Sequence, residues 1–224
     1  MYRRDFVIST FSCVVGLSTG SRVLGQKKSI EPDLAALGEG KGLKVFNRSL
    51  SGFNEGAKKG LRLSESTGDG VAYLESVEFT NGTIEIDIRG KDVQQQSFVG
   101  VAFHGADEKT FDAIYFRPFN FKAEDPARRL RAVQYISHPT YTWQKLRAEQ
   151  PGKYEQPVSP VPDPNGWFHA RIVVASPKVS VFVNDAKEPC LVVNQLSDRK
   201  KGLVGLWVGN TSGGDFTNLK IVPA

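Results

Sequence analysis

Cysteine is nearly absent: the 224 residues hold two, Cys13 and Cys190. Cys13 lies in an apolar leader, so a processed chain keeps Cys190 alone and no intrachain disulfide can form. Cys190, beside Leu191-Val192-Val193, reads as a small buried apolar residue. Excess charge is scarce as well. The formal charge is +5, and the first 25 residues supply Arg3, Arg4 and Arg22 against Asp5, so the remainder carries only +3. Such a balance gives no case for nucleic acid as a partner. The short clusters Lys58-Lys59, Arg128-Arg129-Arg131 and Arg199-Lys200-Lys201 read as solvated charges at turns. Long apolar runs are missing too. The leader stretch Phe6 to Leu17 is too short for a stable membrane span. There is no internal repeat and no linker to a second domain.

What is present begins with an export signal over residues 1–25. Arg3-Arg4-Asp5-Phe6-Val7 is twin-arginine-like, and Val23-Leu24-Gly25 offers small residues for cleavage before Gln26. An ordinary secretory signal with two arginines is the competing reading, and both place the mature chain in the periplasm or outside the cell. Residues 26–41 read as a polar tether, and 42–224 as one domain. Asn47-Arg48-Ser49, Asn81-Gly82-Thr83 and Asn210-Thr211-Ser212 fit the glycan-acceptor pattern, but a bacterial export signal makes them turns.

Strand-like segments follow at 43–48, 60–64, 70–77, 82–89, 97–104, 112–117, 131–137, 167–174, 178–184, 189–194, 202–209 and 215–222. Ser51-Gly52, Asp69-Gly70, Asn81-Gly82 and Asn184-Asp185 separate some of them as turns. About a dozen short strands at this spacing predict an all-β sandwich rather than βαβ units. Residues 138–166 interrupt the rhythm with Tyr141, Trp143, Tyr154 and a proline-rich run, Pro157 to Pro164. Thr140 to Gln150 has the composition of a short helix, while the proline run must be extended. Long ordered loops either carry function or cover a sheet edge, and both remain open here.

Three neighbouring segments alternate between apolar and polar residues. Ile84, Ile86 and Ile88 oppose Glu85, Asp87 and Arg89; Val99, Val101 and Phe103 oppose His104; Ile114 and Phe116 oppose Tyr115 and Arg117. Period-two alternation predicts one buried and one open face, so these polar groups are expected to share one binding floor. Gln134 joins them in preference to Tyr135. His138 and Trp143 stand at the mouth of the insertion, where Trp143 would offer an aromatic face to a ligand. Trp207, between Gly205 and Gly209, reads as core in preference to a stacking platform. Trp167 and His169 share a face with Arg171 and read as structural.

Gly82 to Gly90, Phe98 to His104, Ala113 to Asn120, Trp167 to Ile172, Val181 to Asn184, Gly202 to Val208 and Gly214 to Ile221 together carry a resemblance. The chain resembles the concanavalin A-like lectin/glucanase superfamily, near the secreted bacterial 3-keto-disaccharide hydrolase domain proteins often labelled family 16 glycoside hydrolase-like. The resemblance implies a jelly roll of two stacked antiparallel sheets with a ligand on the concave one. The superfamily's laminarinase-type enzymes use a Glu-x-Asp-x-x-Glu strand. Glu85 and Asp87 match its first two acids, but Gly90 occupies the third place, and retaining hydrolysis needs a nucleophile and a separate acid. The resemblance also raises a structural calcium, for which Asp69 and Asp215 are the candidates; no other cofactor is implied.

The expectation is therefore an exported protein that binds an oligo- or polysaccharide. Asp87, Arg89, Tyr115, Arg117, Gln134, His138 and Trp143 are its expected ligand contacts. Glu85 and His104 are the candidate catalytic groups if it is an enzyme cleaving 3-keto-glycosides or related glycosides. There a single base would remove the acidified C2 proton and start elimination of the aglycone. A non-enzymatic protein-interaction module is the third alternative.

Overall fold

The structure, a computed structural model, describes residues 28–39 and 41–224. The expected export signal lies outside the described residues. The described chain forms β1 (Leu43–Phe46), β2 (Leu50–Glu55), β3 (Lys58–Leu63), β4 (Gly70–Phe79), β5 (Gly82–Arg89), β6 (Val99–Gly105) and β7 (Phe111–Phe116). Two short helical turns follow, α1 (Pro118–Phe121) and α2 (Pro126–Arg129), and then β8 (Val133–His138), α3 (Trp143–Glu149) and β9 (Glu155–Gln156). The remaining strands are β10 (Trp167–Ala175), β11 (Lys178–Val183), β12 (Leu191–Asn194), β13 (Gly202–Val208) and β14 (Gly214–Pro223).

They assemble into two antiparallel sheets. A front sheet has the order β1-β4-β13-β6-β7-β8-β9, and a back sheet the order β12-β11-β10-β5-β14-β3-β2. The expected all-β jelly-roll sandwich is therefore what the chain forms, and its core lies between the sheets. In the back sheet, β5, β10, β11 and β12 follow their alternation strictly. Ile84, Ile86 and Ile88 are fully buried, with Phe168, Ala170 and Ile172 of β10 beside them, while Glu85, Asp87 and Arg89 face outward.

Front-sheet strands behave differently. Every residue of β6 and β7 is buried, and so are Val133–Ser137 of β8. Side chains on the outer face of this sheet are covered by the following chain rather than by water. The long insertion supplies much of that cover. Its expected helix forms as α3, with the Thr142 hydroxyl accepting from the Lys145 amide as N-cap and Leu146 buried beneath. After α3 the chain pairs β9 to β8, closing that edge of the sheet. The insertion thus caps an edge and raises a wall at once.

The segment expected as a tether is docked from Ile30 onward. Ile30 pairs with Ile221 of β14, Leu34 is buried, and Ala36–Glu39 forms a 3-10 turn. Apolar side chains within a polar stretch account for the difference.

Candidate functional site

The single polar floor expected from alternation is not formed. Glu85, Asp87 and Arg89 lie on the outer face of the back sheet, whereas His104, Tyr115, Arg117, Gln134, His138 and Trp143 belong to the front half of the sandwich. On the back face the charged groups satisfy one another. Asp87 accepts from Lys58 at 2.6 Å, Asn218 at 2.7 Å and His169 Nδ1 at 2.8 Å, and His169 Nε2 stands 3.5 Å from Glu85. Burial opposes ionisation of Asp87, but these donors outweigh it and hold its carboxyl down at about 2. Arg89 binds Asp215 and Glu55 and lies 4.8 Å over the Trp167 ring.

The carboxylates raised for calcium are also apart. Asp215 is held by both Arg62 and Arg89, while Asp69 lines a cleft on the front sheet. Among the described residues no group of three or more His, Cys, Asp or Glu side chains is placed to hold a metal.

His104 is the clearest reversal. It was expected on the open face, but it is completely buried between the sheets. Its φ of 50° is left-handed, and here β6 holds one more residue than β13 between the Gly205↔Ala102 and Leu203↔Gly105 pairs. A bulge of this kind turns the side chain out of its period-two order. Inside, Nε2 donates to the Thr80 carbonyl at 2.6 Å and Nδ1 accepts from the Gln195 amide at 3.0 Å. Asp112 lies 3.7 Å away, itself accepting from the Tyr135 and Ser197 hydroxyls at 2.7 Å each. With both ring nitrogens engaged and no solvent contact, His104 has no route to a ligand.

The outer face of the front sheet carries the cleft. Two adjoining hollows of about 520 Å³ each share Gly68, Asp69, His138 and Trp207. That size suits a small-molecule site. The floor carries Trp207 and Tyr115, whose ring centroids are 5.0 Å apart, and His138, whose ring packs 5.0 Å from the buried Phe111. Trp143, 40% exposed, forms the rim on α3. It is fixed there by Arg147, whose guanidinium covers its ring at 4.8 Å and binds Glu155 bidentately at 2.9 and 2.6 Å.

The polar wall comes from loops. Asp69 precedes β4 and Asn210 follows β13; the Asn210 side-chain oxygen accepts from the Gly68 amide at 2.7 Å. Arg48 ties the same loops together, donating to the Gly68 and Gly209 carbonyls at 2.7 and 2.8 Å. Asp69 Oδ2 lies 3.9 Å from His138 Nδ1. Burial raises the Asp69 carboxyl, against the pull of His138 and Arg48, and burial lowers the His138 imidazole against the pull of Asp69. Burial thus favours the neutral form of the His138 imidazole. Two lining residues keep unmatched buried nitrogens: His138 Nε2 and Trp207 Nε1 have no hydrogen-bond partner in the protein. Each such group costs about 1–3 kcal/mol.

Tyr115 of the floor comes together with Arg117 and Gln134 behind it, but as a buried support rather than as the open ligand contacts expected. Arg117 donates to the Tyr115 hydroxyl at 2.6 Å and to Gln134 Oε1, and Tyr115 also donates to Gln134 at 3.0 Å. Burial pushes the Tyr115 hydroxyl up to about 12.

Sequence reasoning did not assign Asn210 or Gln95 to the site and raised Asp69 only for calcium; its reading of Trp207 as core holds, since the side chain is 3% exposed, although it also lines the cleft. The glycines flanking Trp207 were the one available signal: a Cβ at Gly209 would stand 3.1 Å from its ring.

No protein-family model matches the chain, and neither does any curated protein sequence. Solved structures do. The chain is similar to the carbohydrate binding module CBM66 from Bacillus subtilis, at 18% identity and a TM-score of 0.57 over 80% of this chain and 95% of that one. It is also similar to a Bacillus subtilis protein of unknown function with a galectin-like fold, at 11% identity and a TM-score of 0.56, covering 87% of this chain and 96% of that one. A third match is the VIP36 exoplasmic/lumenal domain in its Ca2+/Man3GlcNAc-bound form, at 9% identity and a TM-score of 0.52, covering 80% of this chain and 82% of that one. With the two seven-stranded sheets, these likenesses show the concanavalin A-like lectin/glucanase fold. No helix of the described residues is long and apolar enough to cross a membrane.

Proposed function

We propose that this chain is a carbohydrate-binding jelly roll whose ligand lies in the front-sheet cleft, against Trp207 and Trp143 and beside Asp69 and His138. One observation carries the reading: a hollow of about 520 Å³ that sets the exposed Trp143 and the Trp207–Tyr115 pair beside the polar groups of Asp69, His138 and Asn210. Sugar rings offer apolar faces for stacking and hydroxyl edges for polar groups, and the cleft supplies both. Similarity to a carbohydrate binding module and to a Man3GlcNAc-bound domain supports the same class of ligand. Of the residues expected from sequence, His138 and Trp143 are direct contacts in this reading, and Tyr115, Arg117 and Gln134 shape the floor. Calorimetry against a panel of oligosaccharides tests it. Trp143→Ala should weaken binding about three- to tenfold, as befits one aromatic contact, with the unfolding midpoint unchanged. Wild-type protein that binds no oligosaccharide at millimolar concentration would refute the reading.

A glycoside-cleaving activity is the second reading, favoured by the neutral His138 imidazole beside Asp69. In a 3-keto-glycoside this imidazole would take the C2 proton, the C2 electron pair would form the enolate, and the aglycone would leave from C1. Turnover of 3-keto-glucosides by wild type, abolished in His138→Ala, supports this reading; saturable binding without turnover refutes it. Export to the periplasm or beyond remains part of the proposal, resting on Arg3-Arg4 and the apolar leader. Mass spectrometry of the mature amino terminus after bacterial expression tests it.

A further inference from the structure

Next to the cleft, past Trp143, lies a third hollow of about 210 Å³ that shares Gln95, Phe98 and Trp143 with it. Its lining contains Arg117, Arg128, Arg131 and Arg147 and no carboxylate. Behind the lining, Glu155 is the one acid among the described residues that pairs with them. It binds Arg147 bidentately and stands 3.6 Å from Arg117 and 3.7 Å from Arg131. Four guanidinium groups against one carboxylate leave an excess of three positive charges around a small concavity.

Other partners in the hollow are neutral. Arg128 donates to the Asn120 side-chain oxygen at 3.3 Å and to the Phe119 carbonyl at 2.8 Å. Arg117 donates to the Arg131 carbonyl at 2.9 Å and to Tyr115 and Gln134. Such acceptors orient guanidinium groups without cancelling their charge. Arg117 is only 4% exposed, and burial lowers its pKa further than Tyr115 and Glu155 restore it, with Arg147 and Arg131 adding repulsion. An arrangement of planar forks with surplus charge, held rigid by one buried acid, suits a bound carboxylate or sulfate.

We infer that this hollow is an anion subsite of the saccharide cleft, so that the ligand is an acidic saccharide with its ring by Trp143 and its carboxylate or sulfate among the arginines. The inference rests on the carbohydrate reading and names its substrate class. The cluster Arg128-Arg129-Arg131, legible in the sequence as solvated charge, divides in the fold: Arg128 and Arg131 turn to the hollow, and Arg129 binds the Ala123 and Glu124 carbonyls instead.

The test compares three probes by calorimetry on the folded chain: hexuronate oligosaccharides, their carboxyl-reduced neutral counterparts, and sulfated galactan oligosaccharides. The hexuronate should bind about tenfold or more tighter than its reduced counterpart, the range of one charge-assisted contact. A sulfated probe preferred over the hexuronate would assign the anion as sulfate; the reverse preference assigns it as carboxylate. Arg131→Gln, at a side chain 42% exposed, should remove most of that preference while the unfolding midpoint and the affinity for the neutral oligosaccharide stay the same. Equal binding of neutral and anionic probes, unmoved by Arg131→Gln, overturns the anion subsite and leaves the saccharide cleft standing. Absence of binding by all three overturns both together.

Discussion

Trp207 and Tyr115 face each other with ring centroids 5.0 Å apart across a position where β6 contributes only the hydrogen of Gly100. Gly100 is the register partner of Trp207 on one side and of Tyr115 on the other. A side chain there would stand between the rings and fill the cleft floor.

Gly100→Val should therefore be strongly destabilising. A Cβ at this position would sit 2.1 Å from the Ile114 carbonyl and 2.6 Å from Tyr115 Cα, both backbone atoms of the paired strand. Neither can yield without disturbing the β6–β7 ladder, so the cost should be about 1–3 kcal/mol or more. Urea unfolding midpoints measure it; a variant as stable as wild type would mean that the strands part readily.

His104→Ala separates a structural histidine from a catalytic one. Removing the ring leaves the Thr80 carbonyl and the Gln195 amide unmet and opens a cavity, for an expected loss of about 2–4 kcal/mol. Saccharide affinity of the folded fraction should not change. Loss of binding or turnover with stability retained would restore His104 to the site.

His169 should give the fold a mild pH dependence. The Asp87 hydrogen bond, with Asp87 and Glu85 charges added, raises its pKa above 6.5 despite burial. A raised folded value means that the contribution is complete below about pH 6.5 and fades as the pH climbs through the folded value. Asp87 works in the opposite sense: held at about 2, its contribution is complete above 3.8 and vanishes as the pH falls toward 2. The ring is a third exposed, so the effect above neutrality should stay below about 1 kcal/mol. Denaturation curves from pH 5 to pH 9 should slope downward in wild type and flatten in His169→Asn; parallel curves would exclude the ion pair.

Asp69→Asn should trade no stability for lost affinity. Burial disfavours the Asp69 charge, and an amide carries no such penalty. Stability should hold or rise by less than about 1 kcal/mol, whereas oligosaccharide affinity should drop about tenfold if Asp69 accepts from sugar hydroxyls. Unchanged affinity would remove Asp69 from the ligand contacts.

Half of the back sheet, β5 and β10 to β12, was legible residue by residue, because one face of it meets water and these strands alternate accordingly. Ile84 to Arg89 reads the same in sequence and in space. The front sheet was legible only as strands. Tyr115 and Gln134 alternate with apolar neighbours, yet they are buried, since α3 and β9 of the insertion after β8 fold back to cover them. One left-handed residue at a bulge was enough to send His104 inward. No local pattern marks Asp69 and Asn210 as neighbours, because a hydrogen bond between segments 142 residues apart places their loops together.

Alternation, turn residues and the scarcity of cysteine determined by themselves that this chain makes an antiparallel β sandwich, since side-chain period and backbone permissiveness are local properties. Tertiary structure alone decided which polar groups share a cleft. Whether an outward face is wet, covered or facing a neighbour's arginine depends on contacts between residues far apart in the chain, and those form only when the sheets and the insertion close on one another.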